Sequence, residues 1–295
     1  MARVTLFATW CLLSIVPSVA GDTTGNIDDV WLADEHEHEL EQHIQSRWRC
    51  RRYLQLGDMF SGKANMWRAF RRARYEATTS DVLDDPNQNM ASKAGLYCAI
   101  ELIMAVVTGG LLMWGPPCSM FIFLSSSIHK RSRRRPHGDE KRNSVRLANI
   151  IIRNMCFCIR LAIRRGVKNI IEQPTTSVMW QLPCLRIILK RSTRIHIAMY
   201  SYGHATYKPV VLWGDLPTLD TVHLPHSLNE FHKLKKVNKQ ITKKATITRS
   251  KLGATLVVRR KASSGVRGGP DLRLTAEYPL PFCAAVRRAW LLSRR

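Results

Sequence analysis

The segment YLQLGDMFSGKANMW, residues 53–67, passes from an apolar run through a small polar turn into a helix-like pattern. Residues 53–60 read as a strand, Ser61-Gly62 as the turn, and Met66, Trp67 and Phe70 as the apolar face of the following helix. A strand, a tight turn and a helix in that order begin a βαβ unit. The same alternation continues downstream. Residues 76–81 form a weaker second strand ending in acids, and residues 92–107 fit a helix. Gly109-Gly110 reads as a turn, and residues 111–114 as a fully buried strand. Residues 145–164 make a long helix ended by Gly166, and residues 167–171 are another buried strand. Residues 195–200 and 209–213 form a final antiparallel pair joined through Tyr202-Gly203. The expected fold class is α/β, a Rossmann-like sheet with helices on both faces and an antiparallel last pair.

Charge divides the chain unevenly. Lys and Arg number 46 against 22 acids, a formal net charge of +24 over 295 residues. Eight acids lie between Asp22 and Glu41 with no Lys or Arg among them, so outside that stretch and Arg3, 45 basic residues face 14 acids. Such a field attracts polyanions, a nucleic acid or an anionic membrane surface. The acidic stretch, 21–46, reads as a solvated linker that screens the basic body, and His36 and His38 within it are expected to hold no metal. Residues 1–20 have the charged start, apolar run and small-residue end of a cleavable signal peptide. That predicts entry to the secretory route, or a compound presequence, whereas nucleic-acid chemistry would place the protein in a nucleus or organelle. Residues 215–295 carry 17 Lys and Arg against five acids with little periodicity, and read as a basic tail, irregular or disordered. Of eight cysteines, Cys11 falls in the signal, and the other seven are irregularly spaced and imply no disulfide framework.

Four constellations carry chemistry. In Asp58-Met59-Phe60-Ser61-Gly62 the small residues let backbone N–H groups approach a cofactor, and Asp81 ends the next strand where a carboxylate can accept from ribose hydroxyls. Gly115-Pro116-Pro117-Cys118 follows a buried strand, and its prolines stiffen the backbone that presents the thiol. Glu172-Gln173-Pro174 follows the next buried strand, bringing a carboxylate to the same cleft. The fourth runs from Tyr202 to Lys208 and leads into the last strand.

Taken in order over residues 56–214, these resemble the cytosine-C5 methyltransferase family. Its hallmarks are an Asp-x-Phe-x-Gly turn, a Pro-Pro-Cys-x-x-Phe loop, a Glu-Asn-Val strand end and a late Tyr-Gly segment closing on Gln-x-Arg. The resemblance implies a class I methyltransferase domain over 47–214 that uses S-adenosyl-L-methionine. It assigns cofactor contacts to Asp58, Phe60, Ser61, Gly62, Asp81, Asn89 and Pro116. It makes Cys118 the nucleophile toward cytosine C6, has Glu172 hold the base's Watson–Crick edge, and puts Lys208 in the slot of the family's Arg. It also implies that the loop beyond the thiol closes on nucleic acid, DNA or RNA, through Lys130, Arg131, Arg133, Arg134 and Arg135. The chain departs from the pattern at several points. Ala64 replaces a usual glycine, Gln-Pro follows Glu172, Thr206 and Lys208 replace Gln and Arg, and no target-recognition domain or returning C-terminal segment is evident. Two other readings follow from the same residues. One is a basic membrane protein spanning near 95–128, where Glu101 is the single charged residue; the other is an inactive relative that binds nucleic acid.

Overall fold

The computed structural model describes residues 36–47, 52–122, 125–204, 208–224, 239–241, 245–249, 255–260, 266–268 and 277–295. The signal peptide expected at 1–20, Thr206, and the basic cluster from Lys233 to Lys236 lie outside them.

Six strands make one mixed sheet in the order β2-β1-β3-β4-β6-β5. They are β1 (Leu54–Met59), β2 (Ala77–Ser80), β3 (Val106–Trp114), β4 (Lys168–Pro174), β5 (Thr193–Ala198) and β6 (Pro209–Gly214). Strands β2, β1, β3 and β4 are mutually parallel, whereas β6 runs antiparallel to both β4 and β5. The protein is therefore α/β, with the antiparallel last pair that the sequence pattern predicts. Four short strands, β7 (Lys239–Ile241), β8 (Ala245–Arg249), β9 (Thr255–Arg260) and β10 (Val266–Gly268), pair antiparallel in a second sheet.

Burial on both faces of the sheet's central strands explains the nearly continuous apolar runs of β3 and β6. Successive residues serve opposite sides. Leu112, Trp114, Ile171 and Val211 join one core; Leu111, Met113, Ile170, Val210 and Leu212 join the other. The first core is filled from α3 (Lys93–Ala105), α5 (Asn143–Arg164) and α6 (Pro183–Ile188), the second from α2 (Asn65–Arg72) and α7 (Leu280–Leu292). Two further helices are α1 (Glu37–Arg47) and the single turn α4 (Ser126–His129).

Four expectations change. First, Gly109-Gly110 is not a turn before β3 but part of it: β3 starts at Val106, and its register against β1 jumps between Leu54 and Leu56. Gly109 has φ +75 inside this irregularity, and a Cβ on Gly110 would sit 2.5 Å from a Val106 methyl, so two glycines are the residues that fit. Second, the end of the acidic linker is a docked helix. Leu40 of α1 is fully buried, the His43 ring stacks on Tyr97 at 4.3 Å, and Arg47 pairs with Glu101 at 3.2 Å. Third, the basic tail ends in an ordered helix, α7, whose Phe282, Val286 and Trp290 are fully buried. Fourth, the alternative of a membrane span near 95–128 gives way to the helix and strand read there first: the stretch divides into α3, β3 and the proline loop. Among the described residues, no helix is long and apolar enough to cross a membrane.

Candidate active site

The parallel strands β1 to β4 place their carboxyl ends along one edge, and antiparallel β6 starts at that same edge. The chain order reverses between β1 and β3: β2 lies on one side of β1, while β3 and β4 lie on the other. Open α/β sheets form a crevice at such a reversal. Here it is bordered by Phe60 after β1 and Gly115 after β3: a Cβ on Gly115 would stand 3.4 Å from the Phe60 carbonyl oxygen.

The β1 turn is held in a left-handed backbone. Phe60, Gly62 and Ala64 have φ of 57°, 54° and 54°. Two non-glycine residues in that region mark stored strain, a frequent property of functional turns. Asp58, at the strand end, is buried and accepts from the Trp67 N–H at 3.2 Å, which anchors the first turn of α2. Burial raises its pKa to about 8, and the nearby Asp81 adds to the rise. Asp81 accepts from the Gly62 N–H at 2.8 Å through Oδ2 and from the Leu83 N–H at 2.9 Å through Oδ1. The two turns are thereby tied into one rim. Each carboxylate oxygen keeps a second lone pair for a hydroxyl. Ser61 Oγ is buried and has no hydrogen-bond partner among the described residues, while a Cβ on Gly62 would meet nothing within 4 Å. Asn89 spends its Oδ1 on the Ala91 N–H, and its backbone carbonyl is covered by Gly95, where any Cβ would clash at 2.0 Å.

The thiol loop is clamped from two sides. Gln173 of β4, almost fully buried, donates to the Pro116 carbonyl at 2.6 Å and accepts from Ser177 Oγ at 3.1 Å. Gln173 thus fastens the loop to the strand carrying Glu172. On the other side, Phe121 is buried in the first core, and its N–H closes a turn onto the Cys118 carbonyl at 2.8 Å. Cys118, Glu172 and Lys208 come together electrostatically. Burial raises the Cys118 pKa, the Glu172 carboxylate raises it further, and the Lys208 ammonium opposes both. Burial likewise raises Glu172, and again Lys208 opposes it. Lys208 itself sits at φ 31°, a third strained residue of this rim.

A residue that sequence reasoning missed completes the group. Tyr278, just before α7, donates from its hydroxyl to Glu172 Oε2 at 3.1 Å. Its carbonyl accepts from Asn65 Nδ2 at 2.8 Å, and Lys208 Nζ lies 5.3 Å from its ring centroid. Gly115 leaves room for it, since a Cβ there would approach the Tyr278 hydroxyl to 2.8 Å. The available signal was the apolar spacing of Phe282, Val286, Ala289 and Trp290 after Tyr-Pro, a helical face.

The basic loop separates into two kinds of residue. Lys130, Arg133, Arg134 and Arg135 are exposed, as a phosphate-contacting loop requires. Arg131 is not. It is 6% exposed and donates to the Met120, Pro136 and Val145 carbonyls and to Asn149 Oδ1, with its guanidinium 4.1 Å from the Phe121 ring centroid. The expected nucleic-acid contact at Arg131 is corrected to an internal clip that holds the thiol loop against α5. Beside it, the Arg131 N–H donates to His129 Nδ1, which leaves Nε2–H to donate to the Ile122 carbonyl at 2.8 Å.

All six cysteines among the described residues are thiols, and no group of three or more His, Cys, Asp or Glu is placed to hold a metal there. Cys184 differs from the rest: a hydrogen bond from Cys156 lowers its pKa to about 7 despite burial. In the resting protein at pH ~7.5 we expect iodoacetamide to label Cys184 roughly tenfold or more faster than Cys118, because alkylation follows the thiolate fraction. Peptide mass spectrometry reads this directly, and equal rates would count against a lowered Cys184 thiol.

No protein-family model matches the chain, and no curated protein matches it in sequence.

Proposed function

We propose that the protein is an S-adenosyl-L-methionine-dependent methyltransferase of Rossmann-like class I type, acting on cytosine C5 of nucleic acid through Cys118. The observation that carries this reading is the gathering of Glu172, Lys208 and Gly115, which opens the thiol loop, around Tyr278, whose carbonyl is tied to Asn65 beside the strained Gly62 turn.

The residues fit the cofactor. Open space above Gly62, the orphaned Ser61 hydroxyl and the spare lone pairs of Asp81 suit a ribose and an amino-acid moiety. Phe60 and Pro116 would border it, with Asp58 fixing the turn beneath and Asn89 at the far end. When bound, S-adenosyl-L-methionine supplies an electrophilic methyl group to the substrate carbon.

The chain's own part is to prepare that carbon. The Cys118 thiolate forms a bond to C6 of cytosine, and the C5=C6 electron pair moves onto C5. Glu172, whose neutral form burial favours, shares a proton with ring N3 and so stabilises the electron-rich ring. After methylation, loss of the C5 proton to solvent returns its electron pair to the C5=C6 bond and expels the thiolate. Lys208 favours the ionised thiol against burial and Glu172. Exposed Lys130, Arg133, Arg134 and Arg135 would hold phosphates, and the overall charge of +24 supports a polyanionic substrate.

The test is a covalent trap. Nucleic acid containing 5-fluorocytosine, incubated with the protein and S-adenosyl-L-methionine, is expected to give an adduct stable to denaturation, because fluorine at C5 blocks the final elimination. Cys118→Ala should abolish it, and Asp81→Ala should weaken cofactor binding measured by calorimetry. Cofactor binding without any adduct on DNA or RNA would favour the second reading, a noncatalytic nucleic-acid-binding relative. The raised Cys118 pKa is the observation behind that alternative, since a thiol held neutral is a poor nucleophile.

A further inference from the structure

We propose that Tyr278 is the positioning residue of this site, holding one oxygen of Glu172 so that the other, Oε1, is left to hydrogen-bond a ligand. The inference rests on the methyltransferase reading for the ligand, the Watson–Crick edge of a pyrimidine, but its geometry stands on the chain alone.

Glu172 is 7% exposed, and its two oxygens are unequal. Oε2 receives the Tyr278 hydroxyl at 3.1 Å, whereas Oε1 is buried with no hydrogen-bond partner among the described residues. An orphaned carboxylate oxygen is costly to bury unless a ligand completes it. Tyr278 cannot easily swing away. Its carbonyl is held by Asn65, and its ring packs edge-on against Phe282 at 5.4 Å. A single hydroxyl, delivered from the far end of the chain, therefore selects which carboxylate oxygen is free. It also makes α7 part of the site and not only part of the fold.

The groups facing Glu172 are the Tyr278 hydroxyl, Lys208 and Cys118, and Asp58 faces Tyr278 from β1. A buried carboxyl with a raised folded pKa carries a penalty that is absent below its unfolded value and fully present above its folded one. The Tyr278 hydroxyl reduces that penalty by stabilising the ionised form. Tyr278→Phe keeps the ring and removes only the hydroxyl. Its melting temperature should fall below that of the parent by about 3 °C more once the pH exceeds the raised folded pKa of Glu172 than at pH ~5. Asp58 titrates in the same window, so the comparison is repeated in Glu172→Gln, where the deficit should no longer vary with pH. Asn65→Ala, which releases the Tyr278 backbone, should show the same trend at smaller size and serves if Tyr278→Phe folds poorly. A pH-independent deficit, or one that survives in Glu172→Gln, overturns the proposal. The measurement needs neither cofactor nor nucleic acid. A failed covalent trap with this pH signature intact therefore sinks the methyltransfer reading alone, and the reverse result sinks the positioning role alone.

Discussion

Trp290→Ala should lower stability by about 3–5 kcal/mol, and removal of residues 278–295 should abolish cooperative unfolding altogether. Trp290 is fully buried in the second core, where its ring lies 5.3 Å from Phe70 and 5.1 Å from Tyr75. Its indole N–H donates to the Gly109 carbonyl at 2.8 Å, inside the β3 irregularity. Truncation to alanine thus loses the ring's contacts and takes the indole donor from a part-buried carbonyl, two costs that add. For a domain of this size a loss of that magnitude lowers the melting temperature by roughly 10 °C, readable by calorimetry. Complete removal of α7 is worse. It uncovers Leu111, Met113 and Ile170 on one sheet face, and it removes the acceptors and donors that Thr218 and Ala69 use. A truncated chain that unfolds cooperatively near the parent temperature would show that the C-terminal helix is an accessory and not a layer of the fold.

That helix also shows where the sequence was hard to read. Strands β3 and β6 were legible because both faces of each are buried, so each carries an almost unbroken apolar run, residues 111–114 and 210–213, while β1 and β4 were legible from shorter apolar pieces beside turn residues. The Gly62, Pro116-Pro117 and Glu172 segments were placed at the sheet edge for a related reason: each lies at the carboxyl end of such a strand. The missing pieces depend on partners distant in the chain. Helix α1 is polar nearly all round, and only Leu40 is fully buried; its docking comes from Lys93, Tyr97 and Glu101, more than fifty residues on. Tyr278 is joined to Asn65 across 213 residues and to Glu172 across 106, with nothing local to announce it. The Gly109-Gly110 pair looks like a turn in isolation, and only β1 on one side and Trp290 on the other make it a bulge within a strand.

Arg131 poses the same difficulty in its sharpest form, because it stands in a run of basic residues with identical local character, and its neighbours give the second large prediction. Arg131→Met, which keeps length and apolar stem but not the fork, should cost about 3–5 kcal/mol, since three carbonyls and the Asn149 side chain lose a buried donor. Arg131→Lys should recover little of this, because an ammonium cannot span donors arranged in a plane. Burial already lowers the Arg131 pKa to about 10, opposed by Glu140, so the guanidinium is held inside at real electrostatic cost. Simultaneous Arg133→Ala, Arg134→Ala and Arg135→Ala should leave urea unfolding within about 0.5 kcal/mol of the parent. The same triple change should flatten the salt dependence of nucleic-acid binding, reducing the log–log slope by about 2–3. The two measurements cross. A residue that clips the thiol loop to α5 moves stability and leaves the salt slope alone; residues that meet phosphates do the opposite. Should Arg131→Met instead unfold like the parent while flattening the slope, Arg131 would be facing solvent in the working protein, and the thiol loop would need another anchor.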